Sequence, residues 1–213
     1  MMFSITVAII ILTCLVSFSA FGNEKIKENL LFWPAEINSR NQYYRFLTYG
    51  FVHGDMMHLL FNMISFYSFG EYVEKYLFSF SHIFGSQNKL FFVILYFSAL
   101  IVSGIPDYIM NRNNFSYRAL GASGAVCAVI FAFIILEPNR EISFFLILPM
   151  RAYIFGLLFL AISVYLAKKG ADNIGHRAHY TGALYGILFV IIGAKLHSNF
   201  DVVKAFLDQV LHR

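Results

Sequence analysis

Charged side chains are scarce in this sequence of 213 residues: Asp, Glu, Lys and Arg together make up 13% of it. Soluble domains average about 25%, so the composition excludes an ordinary water-soluble protein. Hydrophobic residues make up 59%, and 25 Phe and 13 Tyr suit lipid-facing and interfacial surfaces. The sequence therefore predicts an integral, multi-pass membrane protein whose surroundings are the lipid bilayer.

Cysteine and clustered charge are scarce as well. Cys14 and Cys127 both fall in apolar runs, where a thiol behaves as a small hydrophobe, and neither belongs to a metal-ligand spacing. The formal net charge of +4 is spread along the chain, without the basic cluster and interleaved aromatics that nucleic acid would require. Tandem repeats and long linkers are absent. We expect one domain over residues 1–213, with no metal, no cofactor and no nucleic-acid partner.

Six apolar runs predict membrane-embedded helices. They cover Phe3–Phe21, Met56–Tyr76, Lys89–Met110, Gly121–Leu136, Ile142–Ala167 and Ala178–Leu196. The polar and aromatic stretch Gly22–Asp55 suits the membrane interface, and residues 197–213 suit a surface tail. The sequence therefore predicts an all-α bundle of six transmembrane helices, with a core of about residues 3–196.

The first apolar run has a second interpretation as a cleaved signal peptide, because Ser17-Phe18-Ser19-Ala20 offers small residues. No Lys or Arg precedes the run, and it exceeds the ~7–15 apolar residues of a signal peptide, so we expect a retained helix.

The distribution of charge does not indicate the orientation of the bundle in the membrane. The side that would hold both termini carries seven Lys and Arg and the opposite side nine, without the clear bias that orientation requires.

A serine stands between glycines at the start of the fourth run, in Gly121-Ala122-Ser123-Gly124. The N-terminus of a helix offers free backbone N–H groups and a positive dipole end, which suit a nucleophile whose reaction generates an oxyanion. The run has 16 residues, roughly 24 Å at 1.5 Å each, against a hydrocarbon core of about 30 Å. We therefore expect Ser123 at the floor of a water-filled cavity. The alternative is a small-residue contact between helices.

Histidines inside predicted membrane helices point to function, because ionisable residues are costly there. His179 opens the sixth helix and is expected to reach Ser123 and take its proton as general base. The helix contact that brings the two together would use glycines: Gly121, Gly124, Gly182 and Gly186. Asp172 lies in the preceding loop, which favours a Ser–His dyad over a triad. His176 is the rival base, and a structural, hydrogen-bonded histidine is the alternative for His179.

His58 and Asn62 share one face of the second helix, because their spacing is i, i+4. Both can donate hydrogen bonds, and with the Ser123 backbone N–H they make a candidate oxyanion hole. The alternative is a pair of interhelical hydrogen bonds. The remaining histidines lie in loops, at helix ends or in the tail and are assigned no catalytic role: His53, His82, His197 and His212.

These motifs resemble the rhomboid intramembrane serine proteases, which carry oxyanion donors, serine and histidine on helices two, four and six. The resemblance rests on His58 with Asn62, Gly121-Ala122-Ser123-Gly124, and Ala178-His179-Tyr180-Thr181-Gly182 with Gly186. Tyr44-Arg45 is similar to the family's first loop, which usually has Trp-Arg, and Glu74-Lys75 is similar to the end of its second helix. Cys127 stands where some bacterial members have a tyrosine stacked on the base, and about Phe80–Gly85 is an insertion.

The resemblance implies a serine endopeptidase that cuts transmembrane protein substrates near the point where they enter the membrane, in the bacterial inner (plasma) membrane. Ser123 would be the nucleophile and His179 the base, and His58, Asn62 and the Ser123 amide would hold the oxyanion. A catalytically inactive binding or chaperone protein on the same fold is the alternative, which the intact Ser, His, His and Asn argue against. A small-solute transporter is disfavoured, because no repeat relates residues 1–100 to 101–213.

Overall fold

The computed structural model describes residues 4–78, 83–144, 148–169 and 175–211, and helices dominate these ranges. The helices are α1 (Ile5–Phe21), α2 (Glu24–Leu30), α3 (Pro34–Arg40), α4 (Arg45–Thr48), α5 (Met56–Tyr72), α6 (Asn88–Asn111), α7 (Ser123–Leu136), α8 (Ala152–Lys169), α9 (His176–His197) and α10 (Val202–Leu211). Shorter helical turns cover Tyr49–Phe51, Val73–Leu77 and Gly85–Gln87. His82, Asp172, His212 and residues 80–82 of the expected insertion lie outside the described residues.

Each of the six expected runs contains a helix, namely α1, α5, α6, α7, α8 and α9. Within the described ranges, three helical stretches are long and apolar enough to cross a membrane: Gly85–Asn111, Ala152–Lys169 and His176–His197. Helices α1 and α7 are shorter apolar helices; α7 has 14 residues, about 21 Å at 1.5 Å each. The protein is therefore a mostly helical membrane protein, as its composition predicts.

One part of the all-α prediction is wrong. Glu141–Phe144 and Leu148–Arg151 form a two-stranded antiparallel hairpin, β1 and β2. The fifth apolar helix therefore begins at Ala152 rather than at Ile142. Pro149 supplies the physical reason, because proline has no N–H for the helix ladder and disfavours helical backbone at the residue before it.

The stretch expected at the membrane interface folds into the short helices α2, α3 and α4 around one buried arginine. The Arg45 guanidinium, in a residue that is 3% exposed, donates to the carbonyls of Glu28 at 2.8 Å and Leu31 at 2.7 Å and to the Gln42 side chain at 2.7 Å. These bonds satisfy backbone groups that the turn between α2 and α3 leaves unpaired. Tyr44 beside it is exposed.

A buried carboxylate ties the start of α1 to the helical turn Val73–Leu77, which follows α5. The Glu74 side chain accepts hydrogen bonds from the backbone N–H groups of Ile5 and Thr6, both at 2.8 Å, and from the Thr6 hydroxyl at 2.8 Å. A carboxylate is favourable here, because the first N–H groups of a helix have no partner within the helix and carry its positive dipole end.

Helix α7 is the centre of the bundle, because the whole run Gly124–Ile134 is buried. Apolar residues on every side are expected of a helix surrounded by protein, and α7 packs against α5, α6, α8 and α9. Ser123 is the first residue of this helix. The nucleophile candidate is therefore fixed to the most enclosed element of the fold.

Helices α7 and α9 meet backbone to backbone at two glycines of α9. A Cβ atom at Gly182 would overlap the carbonyl group of Gly124, and one at Gly186 would overlap the carbonyl group of Ala128. Since each neighbour is backbone rather than a movable side chain, only glycine permits this approach. Gly182 therefore lies against Gly124, and Gly186 lies against Ala128.

The tail beyond α9 folds back along the bundle as α10. Val202 is buried, while Val203, Leu207 and Leu211 are exposed apolar residues. Gln209 donates from its side chain to the Leu136 carbonyl at 3.4 Å, which fixes α10 to the end of α7.

We expect Gly186→Ala to lower the thermal unfolding midpoint in detergent by about 2–12 °C. Overpacking costs ~1–3 kcal/mol, and each kcal/mol corresponds to about 2–4 °C in a chain of this size. The matched control is Gly22→Ala, because a Cβ atom at Gly22 meets nothing within 4 Å. Equal midpoints for the two variants would contradict the close contact of α7 and α9.

Candidate active site

A cavity of about 810 Å³ lies between α5, α6, α7, α9 and the loop before α7. Its polar lining includes His58, Asn62, Asp107, Tyr117, Ser123 and His179. The Ser123 residue is only partly buried, so its hydroxyl is accessible from this space. Among the described residues, no group of three or more His, Cys, Asp or Glu is arranged to hold a metal ion.

Ser123 and His179 are in direct contact. The Nε2 atom of His179 lies 2.7 Å from the Oγ atom of Ser123. The glycine contact accounts for this distance, because His179 precedes Gly182 by three residues and so lies on the same face of α9. An imidazole nitrogen at hydrogen-bond distance from a hydroxyl can accept its proton, which is the geometry of an activated nucleophile.

Two rings flank the His179 imidazole. The Phe159 ring of α8 lies 6.2 Å from it at an interplanar angle of 33°, and the His176 ring lies 5.8 Å away, edge-on. His176, the rival base, is thus beside His179, and the hydrogen bond to the Ser123 hydroxyl is made by His179. Cys127 is buried in the bundle, and Phe159 is the aromatic ring beside His179. The sequence did not indicate this contact, because it joins distant parts of the chain.

The two oxyanion candidates on α5 line the same cavity as Ser123. The Asn62 side chain donates one N–H to the His58 carbonyl at 2.9 Å, and an amide nitrogen carries a second N–H for another acceptor. The Asp55 side chain accepts from the His58 backbone N–H at 2.8 Å and so caps the start of α5. A capped helix start fixes the position of the His58 ring in the cavity.

Gly121 has a different place from the one that its motif suggested. It lies in the loop before α7 with φ at +110°, and a Cβ atom there would lie 2.7 Å from His58 Cε1 and 2.9 Å from His58 Nε2. The residue therefore makes room for the His58 ring rather than for α9. Residues with a side chain rarely adopt this backbone conformation. No pattern in the sequence predicts that Gly121 adopts it.

His53 is a supporting residue that the sequence analysis left without a role. It is fully buried, with Nδ1 2.9 Å from the Ser17 hydroxyl, and its Nε2 accepts from the Ala122 backbone N–H at 3.5 Å. Since Ser17 donates its proton to the Phe51 carbonyl at 2.8 Å, His53 must donate from Nδ1 and is neutral. Burial, together with the neighbouring His58, lowers the pKa of His53 to about 3. His53 thereby orients the peptide that leads into Ser123.

Asp107 is an acidic residue of the cavity to which the sequence analysis gave no role. The preceding Ile105-Pro106 is typical of the end of an apolar helix, so Asp107 was not expected in the site. Its carboxylate pairs with Arg177 at 2.6 Å. Asp107, which lines the cavity together with Asp55, thus has a cation of α9 as its partner.

Comparisons with known proteins identify the family. The Rhomboid domain model matches residues 40–196, which is most of the chain, and the chain belongs to the rhomboid family. The family expected from the sequence motifs is confirmed.

Relatives come from bacteria and from mitochondria. The chain is 26% identical over 172 residues to the rhomboid protease GlpG of Haemophilus influenzae, covering 80% of each chain. It is 27% identical over 161 residues to the rhomboid protease GlpG of Photorhabdus laumondii, covering 76% of this chain and 51% of that one. It is 30% identical over 153 residues to the human presenilin-associated rhomboid-like protein, mitochondrial, covering 68% and 37%. The chain thus spans about half or less of the latter two.

We expect Gly121→Ala to reduce turnover strongly while the helical content stays the same. The added methyl group would push the His58 ring out of place and strain the backbone, whereas Gly54→Ala beside the same ring would bring Cβ no closer than 3.7 Å to its neighbours. Turnover and circular dichroism of the two variants check this expectation. Equal turnover would contradict the assignment of Gly121 to the His58 ring.

We expect Ser17→Ala to destabilise the protein by about 1–3 kcal/mol, because it leaves the buried Nδ1–H of His53 without an acceptor. The control is Ser19→Ala, two residues away, whose hydroxyl bonds only to its own helix at Leu15 and is exposed; we expect it to change stability by less than about 0.5 kcal/mol. Unfolding in detergent at pH 7 measures both. Equal destabilisation would contradict the hydrogen-bond assignment of His53.

Proposed function

We propose that this chain is an intramembrane serine endopeptidase that cleaves transmembrane protein substrates near the point where they enter the membrane. The observation that carries the proposal is the 2.7 Å hydrogen bond between Ser123 and His179 at the cavity. Membership of a family that includes proteins named as rhomboid proteases supports it. No cofactor enters the proposal.

In the proposed reaction, Ser123 Oγ attacks the carbonyl carbon of the scissile peptide while His179 Nε2 takes the hydroxyl proton. The negative charge that develops on the carbonyl oxygen is stabilised by the Ser123 backbone N–H, His58 and Asn62. The intermediate collapses when the C–N bond breaks and His179 returns the proton to the leaving amine. Water, deprotonated by His179, then hydrolyses the acyl-enzyme and restores the serine.

The proposed arrangement in the membrane has six spanning helices in one domain: α1, α5, α6, α7, α8 and α9. Helix α7 is too short to cross the hydrocarbon core of about 30 Å, which supports a serine below the membrane surface in a water-accessible cavity. We place the protein in a bacterial plasma membrane, because bacterial rhomboid proteases are among its relatives.

The dyad is tested by non-additivity. We expect Ser123→Ala, His179→Ala and the double variant to share nearly the same residual rate, at least ~10⁴-fold below the wild type, because residues that act as one unit are lost as one unit. Cleavage of a single-span test protein in detergent measures the rates. Ser198→Ala, beyond the far end of α9, is the control.

Three outcomes would count against parts of this proposal. Wild-type rates in Ser123→Ala would exclude Ser123 as the nucleophile, and no cleavage by the wild type would favour a catalytically inactive membrane-binding protein. Substantial activity of His179→Ala that His176→Ala lacks would make His176 the base. Multiplying losses in the double variant would contradict a single unit.

The oxyanion hole is tested by Asn62→Ala. Removal of one oxyanion donor costs about 10²–10³ in turnover, or ~2.7–4 kcal/mol, and the fold is expected to stay intact because Asn62 bonds only within its own helix turn among the described contacts. The rate is measured on the same test protein. Unchanged turnover would reduce Asn62 to a structural contact.

A further inference from the structure

An ion pair at the wall of the cavity joins α6 to the start of α9. The Asp107 residue of α6 is 4% exposed, lines the cavity, and pairs through its carboxylate with the Arg177 guanidinium at 2.6 Å. A carboxylate buried to this extent is stable only when it is paired and hydrogen-bonded, so its partner Arg177 matters.

The start of α9 is not stabilised by a capping side chain or by an acidic residue of its own first turn. Its first residue follows Gly175, which offers no side-chain cap, and its first turn contains no acidic residue. Arg177 in that turn places a cation at the positive end of the helix dipole, which is unfavourable by itself. The Asp107 carboxylate compensates both the cation and the dipole, so the ion pair stabilises the first turn of α9 from outside.

The first turn of α9 is also where His179 lies. Successive residues of an α-helix are about 100° apart, so Arg177 and His179 point to nearly opposite sides of the turn. His179 contacts Ser123 of α7, while Arg177 contacts Asp107 of α6. The turn is therefore held from both sides, and the ion pair opposes any rotation that would withdraw the imidazole from the serine.

We propose that the Asp107–Arg177 ion pair is a positioning element for His179: it fixes the rotation of the first turn of α9 and thereby the approach of the imidazole to the Ser123 hydroxyl. This inference rests on the proposed peptidase function. Asp107 and Arg177 act through His179 and not on the substrate, so their loss changes the rate of the chemical step and leaves substrate affinity in place.

The test compares Asp107→Asn, Arg177→Gln and the double variant on the single-span test protein, with enzyme concentrations set by phosphonate titration of Ser123. We expect kcat per titrated site to fall about 10–100-fold with KM within about twofold, because a misplacement of 1 Å can cost ~10² in rate. The double variant is expected to be no worse than either single variant. Arg177→Lys, which keeps the charge, is expected to restore kcat to within about fivefold.

The matched control is Arg40→Gln, which removes the Glu36–Arg40 ion pair of α3 at 3.2 Å and leaves the described site untouched. Its kcat is expected to equal that of the wild type. Should Asp107→Asn fail to fold, Asp107→Glu keeps the charge and moves the carboxylate by one methylene, with an expected loss in kcat of about threefold or more.

Each other outcome has a definite meaning. A lower unfolding midpoint with unchanged kcat per titrated site would make the pair purely structural and overturn the inference, as would unchanged kcat in Asp107→Glu when Asp107→Asn does not fold. A raised KM with unchanged kcat would make it a substrate contact and also overturn it. Cleavage by the wild type but not by Ser123→Ala shows that the peptidase proposal holds while the ion pair is tested. The absence of Ser123-dependent cleavage would overturn the peptidase proposal and the positioning role of the ion pair together.

Discussion

The backbone contact between α7 and α9 is the constraint on which the candidate site depends. Gly182 lies against Gly124 and Gly186 against Ala128, at separations that a single methyl group would prevent. This contact fixes the rotation and depth of α9 relative to α7. Because Ser123 begins one helix and His179 lies one turn before Gly182 in the other, the same contact sets the 2.7 Å distance between their reactive atoms.

Polar side chains, among them the buried Glu74 and Arg45, do the rest of the positioning by fixing helix ends and turns. Glu74 holds the start of α1, Asp55 that of α5, and Arg45 the turn after α2. Lipid offers no hydrophobic driving force between helices, so a membrane bundle depends on close packing and on such hydrogen bonds. In this chain they converge on the end of the bundle that carries the cavity, except for Glu74, which secures the opposite end.

The positions of the helices and the candidate site residues could be predicted from the sequence more fully than the local geometry around them. An apolar run in a membrane is expected to be helical, and glycines at a spacing of four are expected to mark close helix packing. Helices α6 and α9, and the face of α9 that carries His179, could therefore be predicted. The hairpin before Ala152 could not, because hydropathy alone does not distinguish a short apolar strand from part of an apolar helix. The φ of Gly121, the neutral state of His53, and the meeting of Asp107 with Arg177 depend on tertiary contacts between residues up to 70 positions apart, which no local pattern records.

Activation of Ser123 by His179 is tested most directly by covalent labelling with an activated phosphonate, with the modified residue located by mass spectrometry. We expect the detergent-solubilised wild type to be labelled at Ser123, and His179→Ala, with its helical content retained, to be labelled at least ~10²-fold more slowly, since a positioned general base contributes about 10²–10⁴. Labelling of another residue, or a Ser123 labelling rate that does not depend on His179, would contradict this activation.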